Sequence, residues 1–263
     1  MVRFQSYIAH AVAAETISLS LVLPAFNEAR RMPPYLEAVR NYLDQQYPAC
    51  YEVLVVDDGS TDGLDRLLEQ VAAGWPQLRC LRHPHNLGKG AAVRSGMQVA
   101  HGELLLFADA DGATPIADEA RLAEAIRQGA DLAIGSRLLS GRGTRQSRSL
   151  LRGLAGRLFA ALARRTLRLK VRDTQCGFKM FRGDAGRRLF ALVRESGYLF
   201  DLELLALAQR LGYRIAEVPI NWTEIPGGHI SLARILPRVL VGLPRLRRRL
   251  QDVPAGVEQA IPR

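Results

Sequence analysis

Residues 51–63 read YEVLVVDDGSTDG, and this stretch decides the fold. Tyr51–Val56 is an almost unbroken apolar run rich in β-branched side chains, the pattern of a strand buried on both faces. It stops at Asp57-Asp58-Gly59-Ser60. Thr61 or Asp62 is then placed to cap a helix with the apolar stripe Leu64, Leu67, Leu68 and Val71. Similar units flank it. Upstream, Ile17–Leu23 predicts a strand ending at Pro24, Asn27-Glu28 falls in a loop, and Pro33-Pro34 opens a helix to about Leu43. Downstream, Leu78–Arg82 predicts a third strand, and Gly88-Lys89-Gly90 enters a helix over 91–100. Glu103–Phe107 predicts a fourth strand, stopping at Ala108-Asp109-Ala110-Asp111-Gly112. A helix near 116–128 and a strand over 131–134 complete an alternation that implies a parallel sheet covered by helices.

In such sheets ligands sit at the carboxyl ends of the strands. Asn27/Glu28, Asp57/Asp58 and Asp109/Asp111 each follow a predicted strand, so they are expected to converge on one cleft. After Ser136-Arg137 a Gly/Arg/Ser stretch (140–149) reads as a loop. Residues 150–170 read as a basic amphipathic helix with Leu151, Leu154, Leu158 and Leu162 on one face. DTQCGFKMF (173–181) reads as loop and strand, 198–209 as a helix and 213–218 as a late strand. Residues 230–250 are again apolar and basic, interrupted by Pro237 and Pro244.

The net charge of +10 is unevenly spread. Residues 1–140 carry 12 Lys+Arg against 17 Asp+Glu, and residues 141–263 carry 24 against 9, so an anionic partner is sought by the second half. Three scattered cysteines without a CxxC pair suggest free thiols. No signal peptide is expected at the start, and no uncharged run reaches the roughly 18 residues that span a bilayer, so membrane contact is expected to be peripheral.

Asp109-Ala110-Asp111 has the strongest chemical logic. Two carboxylates at a strand end suit one hard cation, Mg²⁺ or Mn²⁺, that leaves sites for phosphate oxygens. Asp57-Asp58 offers acceptors for a base N–H or ribose hydroxyls, or acidic groups near a helix N-terminus. Asn86–Gly90 reads as a phosphate-binding turn or a plain helix entry; it is neither a P-loop nor a dinucleotide fingerprint. His83 and His85 lack a third nearby ligand and read as loop or edge residues.

Taken in order, LVLPAFNE (21–28), VVDDGSTDG (55–63), NLGKGAAVRSGM (86–97), LLFADADGATP (105–115), GSR (135–137), DTQCGFKMF (173–181) and NWTEIPGG (221–228) resemble glycosyltransferase family 2. More closely, the set is similar to its dolichyl-phosphate β-glucosyltransferase branch, over roughly residues 17–232. The resemblance implies an α/β GT-A fold, a mostly parallel sheet flanked by helices, with C-terminal basic amphipathic helices. It also implies a catalytic domain over 1–228 and a basic extension over 229–263. It further implies a UDP-sugar donor, Mg²⁺ or Mn²⁺, a polyprenyl-phosphate acceptor and inversion at the anomeric carbon. By the same resemblance Pro24, Ala25, Asn27, Glu28 and Asp58 surround uridine, with Lys89 near the nucleotide. Asp109 and Asp111 bind ribose, diphosphate and metal, and Arg137 meets the acceptor phosphate. Gln175, Gly177, Phe178 and Lys179 line the donor-sugar and acceptor junction, with Asp201 and Glu203 as supporting polar groups.

Three departures from the branch stand out: the missing membrane-spanning segment, Pro226-Gly227-Gly228-His229 after NWTEI, and Gly112-Ala113 where mannosyl-transferring relatives have Gln. The last favours glucose or a similar UDP-sugar over GDP-mannose. A phosphate acceptor is already anionic and needs only positioning, by Arg137 and neighbours such as Arg142, Arg145 or Arg148. A hydroxyl acceptor would need a base, Asp201 first and Glu203 second. The basic helices would meet an anionic membrane surface, placing the protein in the cytoplasm, peripheral on the cytoplasmic face of a membrane. A sugar nucleotidyltransferase is disfavoured because PAFNEARR is not a Gly-rich loop, and a nucleic-acid-binding protein because no such module appears. Nothing in the chain sets its oligomeric state.

Overall fold

The structure, a computed structural model, describes residues 16–141, 146–147, 161–225 and 232–253, with the side chains of 146, 147 and 232–240 left aside. The first half follows the expected alternation: β1 (Leu19–Ala25), α1 (Met32–Gln46), β2 (Tyr51–Asp57), α2 (Leu64–Ala73), β3 (Leu78–Arg82), α3 (Lys89–Val99) and β4 (Leu104–Ala108). A 3-10 turn (Ile116–Asp118), α4 (Glu119–Arg127) and β5 (Leu132–Ser136) follow. The second half has β6 (Gln146–Ser147), a helix α5 whose described part covers 161–167, β7 (Phe178–Arg182) and α6 (Gly183–Leu192). It continues with α7 (Phe200–Arg210), β8 (Ile215–Pro219), β9 (Trp222–Thr223) and α8 (Leu232–Gln251).

Seven strands form one sheet in the order β3-β2-β1-β4-β7-β5-β8, and β6 pairs with β9 apart from it. The sheet is parallel except for β7, which lies antiparallel between β4 and β5. Simple alternation would have set β5 beside β4; a strand from the second half takes that place instead. Side chains alternate across the sheet as the two-residue strand period requires. Leu21, Leu23, Val53, Val55, Leu106 and Met180 bury against α1, α2 and α4. Val22, Leu54, Val56, Leu105, Phe107 and Phe181 bury against α3, α6, α7 and α8.

Three local expectations change. Helix α6 was not anticipated, because Gly183 and Gly186 lower its intrinsic preference. Packing overrides this: a Cβ on Gly186 would stand 3.0 Å from both Leu105 and Phe181, so the glycine lets the helix sit close to the sheet. Helix α8 runs through both Pro237 and Pro244. Its Leu243, Leu246 and Leu250 join the core while Arg245, Arg247 and Arg248 face outward, so this apolar stripe is spent on the protein body. In α5 the described end buries Ala163 and leaves Leu162 exposed. Most of the expected helix over 150–170, the arginines at 142, 145 and 148, and the expected boundary at 228 lie outside the described residues.

Chain direction sets the site. From β1 the chain moves outward to β2 and β3, then crosses to β4 on the other side of β1. This reversal opens a crevice at the carboxyl ends of β1 and β4. Its floor depends on α3 lying close to the sheet, where a Cβ on Gly96 would approach Val22 Cγ1 to 2.4 Å. Gly96→Val is expected to cost roughly 2–3 kcal/mol by overpacking, measured by urea unfolding. Wild-type stability in that variant would show that α3 has room to move.

Candidate active site

The crevice is a cavity of about 280 Å³ lined by residues from the ends of β1, β2 and β4 and the start of α3. Pro24, Ala25, Glu28, Asp58, Lys89, Asp109 and Asp111 meet there, joined by Phe26, Arg31 and Asn86. Three acidic turns far apart in sequence therefore open into one pocket.

The turns are tied to each other by hydrogen bonds. Asn27 adopts a left-handed backbone (φ 55°); its N–H donates to Ser60 Oγ (2.9 Å) and its Oδ1 accepts the Thr61 N–H (2.9 Å). Asp62 Oδ2 accepts the Ala29 N–H at 2.9 Å. The expected capping group at 60–62 is thus used largely to join the loops after β1 and β2. Gly63 is the N-cap of helix α2 and offers no side chain, while Asp62 Oδ1 accepts the Leu64 N–H at 3.2 Å. Asn27 stands in this seam beside the pocket.

Asp58 is almost fully buried and organises the third turn. Its Oδ1 accepts from His83 Nδ1 (2.7 Å) and Leu87 N–H (2.9 Å), and its Oδ2 from Gly88 N–H (2.8 Å). His83 Nε2 meets Ser95 Oγ at 2.9 Å, so this histidine is a bridge inside the fold. The glycine-turn amides, read from sequence as a phosphate-binding turn or a plain helix entry, are partly committed to Asp58, and Lys89 supplies the turn's positive charge.

The pocket's two cations each pair with a carboxylate, while Asp58 is held by His83 and backbone amides. Arg31 pairs with Glu28 through two contacts, one Nε–Oε2 at 2.7 Å, and that hydrogen bond raises the arginine's pKa. Lys89 pairs with Asp109. Burial would lower the lysine's pKa, but Asp109 and Asp201 outweigh it and the net shift is upward. Asp111 accepts the Ala113 N–H at 3.0 Å and has no ion-pair partner among the described residues. Burial, followed by the charge of Asp109, raises its pKa. A bound cation would relieve both effects, so a divalent ion fits here. The described residues contain no cluster of three His, Cys, Asp or Glu side chains able to hold a metal alone. Two carboxylates completed by ligand phosphates and water are the coordination that Mg²⁺ commonly takes.

The residues expected at the sugar and acceptor junction lie on the other side of β4. Gly177 leaves the room that Asp109 occupies: a Cβ would stand 2.1 Å from Asp109 Oδ2. Gln175 is partly buried and its Nε2 has no hydrogen-bond partner among the described residues. Lys179 does not line the pocket. It is fully buried in β7, 2.5 Å from Asp201 Oδ1 and 5.2 Å over the Phe107 ring. Burial raises the pKa of Asp201 in spite of Lys179. Arg137 grips Asp173 with Nε and Nη2, both at 2.8 Å, and stacks over Trp222 at 5.6 Å. Glu203 accepts the N–H groups of Arg194 (3.0 Å) and Glu195 (2.6 Å).

Sequence reading missed Arg31 and Tyr35. Tyr35 supports the acidic turn from below, its ring 3.1 Å from where a Cβ on Gly112 would lie, and its buried hydroxyl has no hydrogen-bond partner among the described residues. A tyrosine on the apolar stripe of α1 carries no sign of this; Arg31, after the Asn-Glu pair, gave a visible hint.

Known proteins resemble this chain in sequence and in fold. The glycosyl transferase family 2 profile matches residues 20–190. The chain belongs to glycosyl transferase family 2. Relatives named dolichyl-phosphate beta-glucosyltransferase include one from Drosophila melanogaster, 38% identical over 82% of this chain and 70% of its own. Another from Saccharomyces cerevisiae is 36% identical over 83% and 71%. Among solved structures, UDP-bound glucosyl-3-phosphoglycerate synthase from Mycobacterium tuberculosis has a TM-score of 0.63 at 22% identity, covering 88% of this chain and 80% of its own. Mannosyl-3-phosphoglycerate synthase from Rubrobacter xylanophilus has 0.64 at 21%, covering 94% and 79%. This chain is therefore a glycosyltransferase with the GT-A fold.

Asp58→Asn removes one acceptor oxygen and faces a backbone N–H with an NH₂ group. It is expected to cost about 1–3 kcal/mol in urea unfolding and to speed amide exchange at Leu87 and Gly88. Unchanged exchange there would show that Asp58 does not hold the turn. Gly177→Ala is expected to displace Asp109 and lower sugar transfer about a hundredfold, with the melting temperature nearly unchanged; transfer at the wild-type rate would contradict the close approach.

Proposed function

We propose that this glycosyltransferase moves glucose from UDP-glucose to a polyprenyl phosphate of the dolichyl phosphate type, with inversion, at a membrane surface. The observation that carries the reading is the meeting of Glu28, Asp58, Asp109 and Asp111 with Arg31 and Lys89 in one crevice. In it, Pro24, Ala25, Asn27, Glu28 and Asp58 would enclose uridine. Asp111 and Asp109 would hold Mg²⁺ or Mn²⁺, which supplies positive charge to the departing diphosphate. Solved relatives of this fold are described with Mg²⁺ and UDP and with GDP-Man and Mn²⁺, which supports a divalent ion.

Lys89 would move from Asp109 toward the diphosphate as the nucleotide enters, adding a fixed charge where negative charge develops. Arg137, held rigid by Asp173, would present its remaining N–H groups to the acceptor phosphate. A phosphate nucleophile needs no base. This agrees with the state of the two candidate bases: Asp201 is locked to Lys179, and Glu203 to two backbone amides and Arg249. The names of the curated relatives, 33–38% identical, support glucose and dolichyl phosphate.

No helix among the described residues is long and apolar enough to cross a membrane. With the described leucines of α8 turned inward, its outward Arg245, Arg247 and Arg248 would contribute electrostatic contact with anionic headgroups, each about 1 kcal/mol. The cytoplasmic face of a membrane, where nucleotide sugars are available, is the location this reading gives the protein.

A donor panel of UDP-glucose, UDP-N-acetylglucosamine, UDP-galactose and GDP-mannose, with Mn²⁺ and a short polyprenyl phosphate, tests the reading. UDP-glucose should turn over only with the phosphate acceptor present and stop on chelation. Asp111→Ala should lower the rate by at least about a hundredfold while keeping the fold. Full activity in that variant would refute the metal assignment, and transfer to a sugar hydroxyl but not to the phosphate would refute the acceptor.

A further inference from the structure

Glu203, on α7, is 2% exposed, and its two oxygens serve different parts of the chain. Oε2 accepts the N–H groups of Arg194 (3.0 Å) and Glu195 (2.6 Å), so it gathers the loop between α6 and α7. Oε1 faces Arg249 Nη2 of α8 at 2.6 Å, and the same guanidinium stands 3.8 Å from Glu195. A carboxylate this deep is retained only when its acceptors are filled. Here the loop's N–H groups fill Oε2, and Arg249 of the C-terminal helix compensates Oε1 as an ion pair.

That loop is what the donor-side turn rests on. The Ser196 carbonyl accepts the Ala91 N–H at 3.2 Å. A Cβ on Gly88 would stand 2.4 Å from the same oxygen, and one on Gly90 would stand 2.6 Å from the Glu195 carbonyl and from Phe200 Cβ. Both glycines of Gly88-Lys89-Gly90 are therefore in backbone contact with residues 195–196. Lys89, between them, pairs with Asp109 and lies 5.9 Å over the Phe200 ring. With no slack at either glycine, a shift of the loop is passed to the turn, because packed contacts transmit displacement rather than absorb it.

We propose that Glu203, held by Arg249 of α8, is a positioning residue for the nucleotide-sugar donor. It fixes loop 194–197, the loop fixes the Gly88–Gly90 turn, and the turn sets where Lys89 meets the diphosphate. The C-terminal helix is thereby coupled to donor affinity although it does not line the donor pocket. The inference rests on the donor-site reading above.

The test compares Glu203→Gln and Arg249→Ala with the full-length wild type, and with Gln251→Ala as an exposed control on α8. Each is titrated with UDP and assayed with UDP-glucose, and amide exchange is followed over residues 87–91 without ligand. Both latch variants are expected to raise the UDP dissociation constant and the donor KM about tenfold, with kcat within about twofold and faster exchange at Leu87, Gly88 and Ala91. In a Lys89→Ala background the Glu203→Gln effect on UDP affinity should nearly vanish, since both act through one group. Equal effects in both backgrounds, unchanged exchange over 87–91, or the same rise in Gln251→Ala would each overturn the proposal. Arg249→Ala carries the test alone if Glu203→Gln does not fold. A wild type that binds no UDP would instead refute the donor reading, and the exchange rates would still decide the coupling of loop to turn.

Discussion

The Asp58 carboxylate is cut off from water and accepts from His83 and from the N–H groups of Leu87 and Gly88. An ionised group in that position needs all of these partners, because an unfilled acceptor in a buried site costs far more than each bond contributes. Satisfying it brings the end of β2, the start of α3 and the edge of β3 to one point. The Asn27–Ser60 and Asn27–Thr61 bonds then attach the end of β1 to the same point. The pocket is the space these obligations leave open, which is why its acidic walls converge although they come from separate turns.

Charge in and around the cleft is balanced in pairs: Glu28 with Arg31, Asp109 with Lys89, Asp173 with Arg137, Asp201 with Lys179. Two of these pairs lie at the pocket and can be remade with a ligand. The Lys179–Asp201 pair is sealed between β7 and α7, and there it works as a structural brace. Burial of such a pair gives little net stability, but removing one partner leaves an uncompensated charge in the core. Asp111 is the place in this pattern where a cation is lacking and where ligand charge would be most strongly felt.

Much of the fold and of the donor side was legible along the chain. The strands of the first half announce themselves by continuous apolar runs, and their ends by acidic turns with glycine. The rule that parallel sheets bind ligands at strand ends then predicted the meeting of Glu28, Asp58 and Asp111 before any coordinates. That reading depended only on period and chain direction, which are local properties. The free state of Cys50, Cys80 and Cys176 was legible from their scattered positions and the lack of a CxxC pair.

What only the tertiary structure decided is everything that joins distant segments. Strand β7 enters the sheet antiparallel between β4 and β5, and this register buries Lys179, a residue that reads as a site group from its motif. The amides of Leu87 and Gly88 go to Asp58 rather than standing free, and Glu203 becomes a link between α8 and the 194–197 loop. No periodicity encodes these partnerships, because a hydrogen bond or ion pair between separate segments is chosen by which surfaces packing brings together. The local pattern of this chain determined which turns carry charge; the folded core determined which of those charges remain available for chemistry.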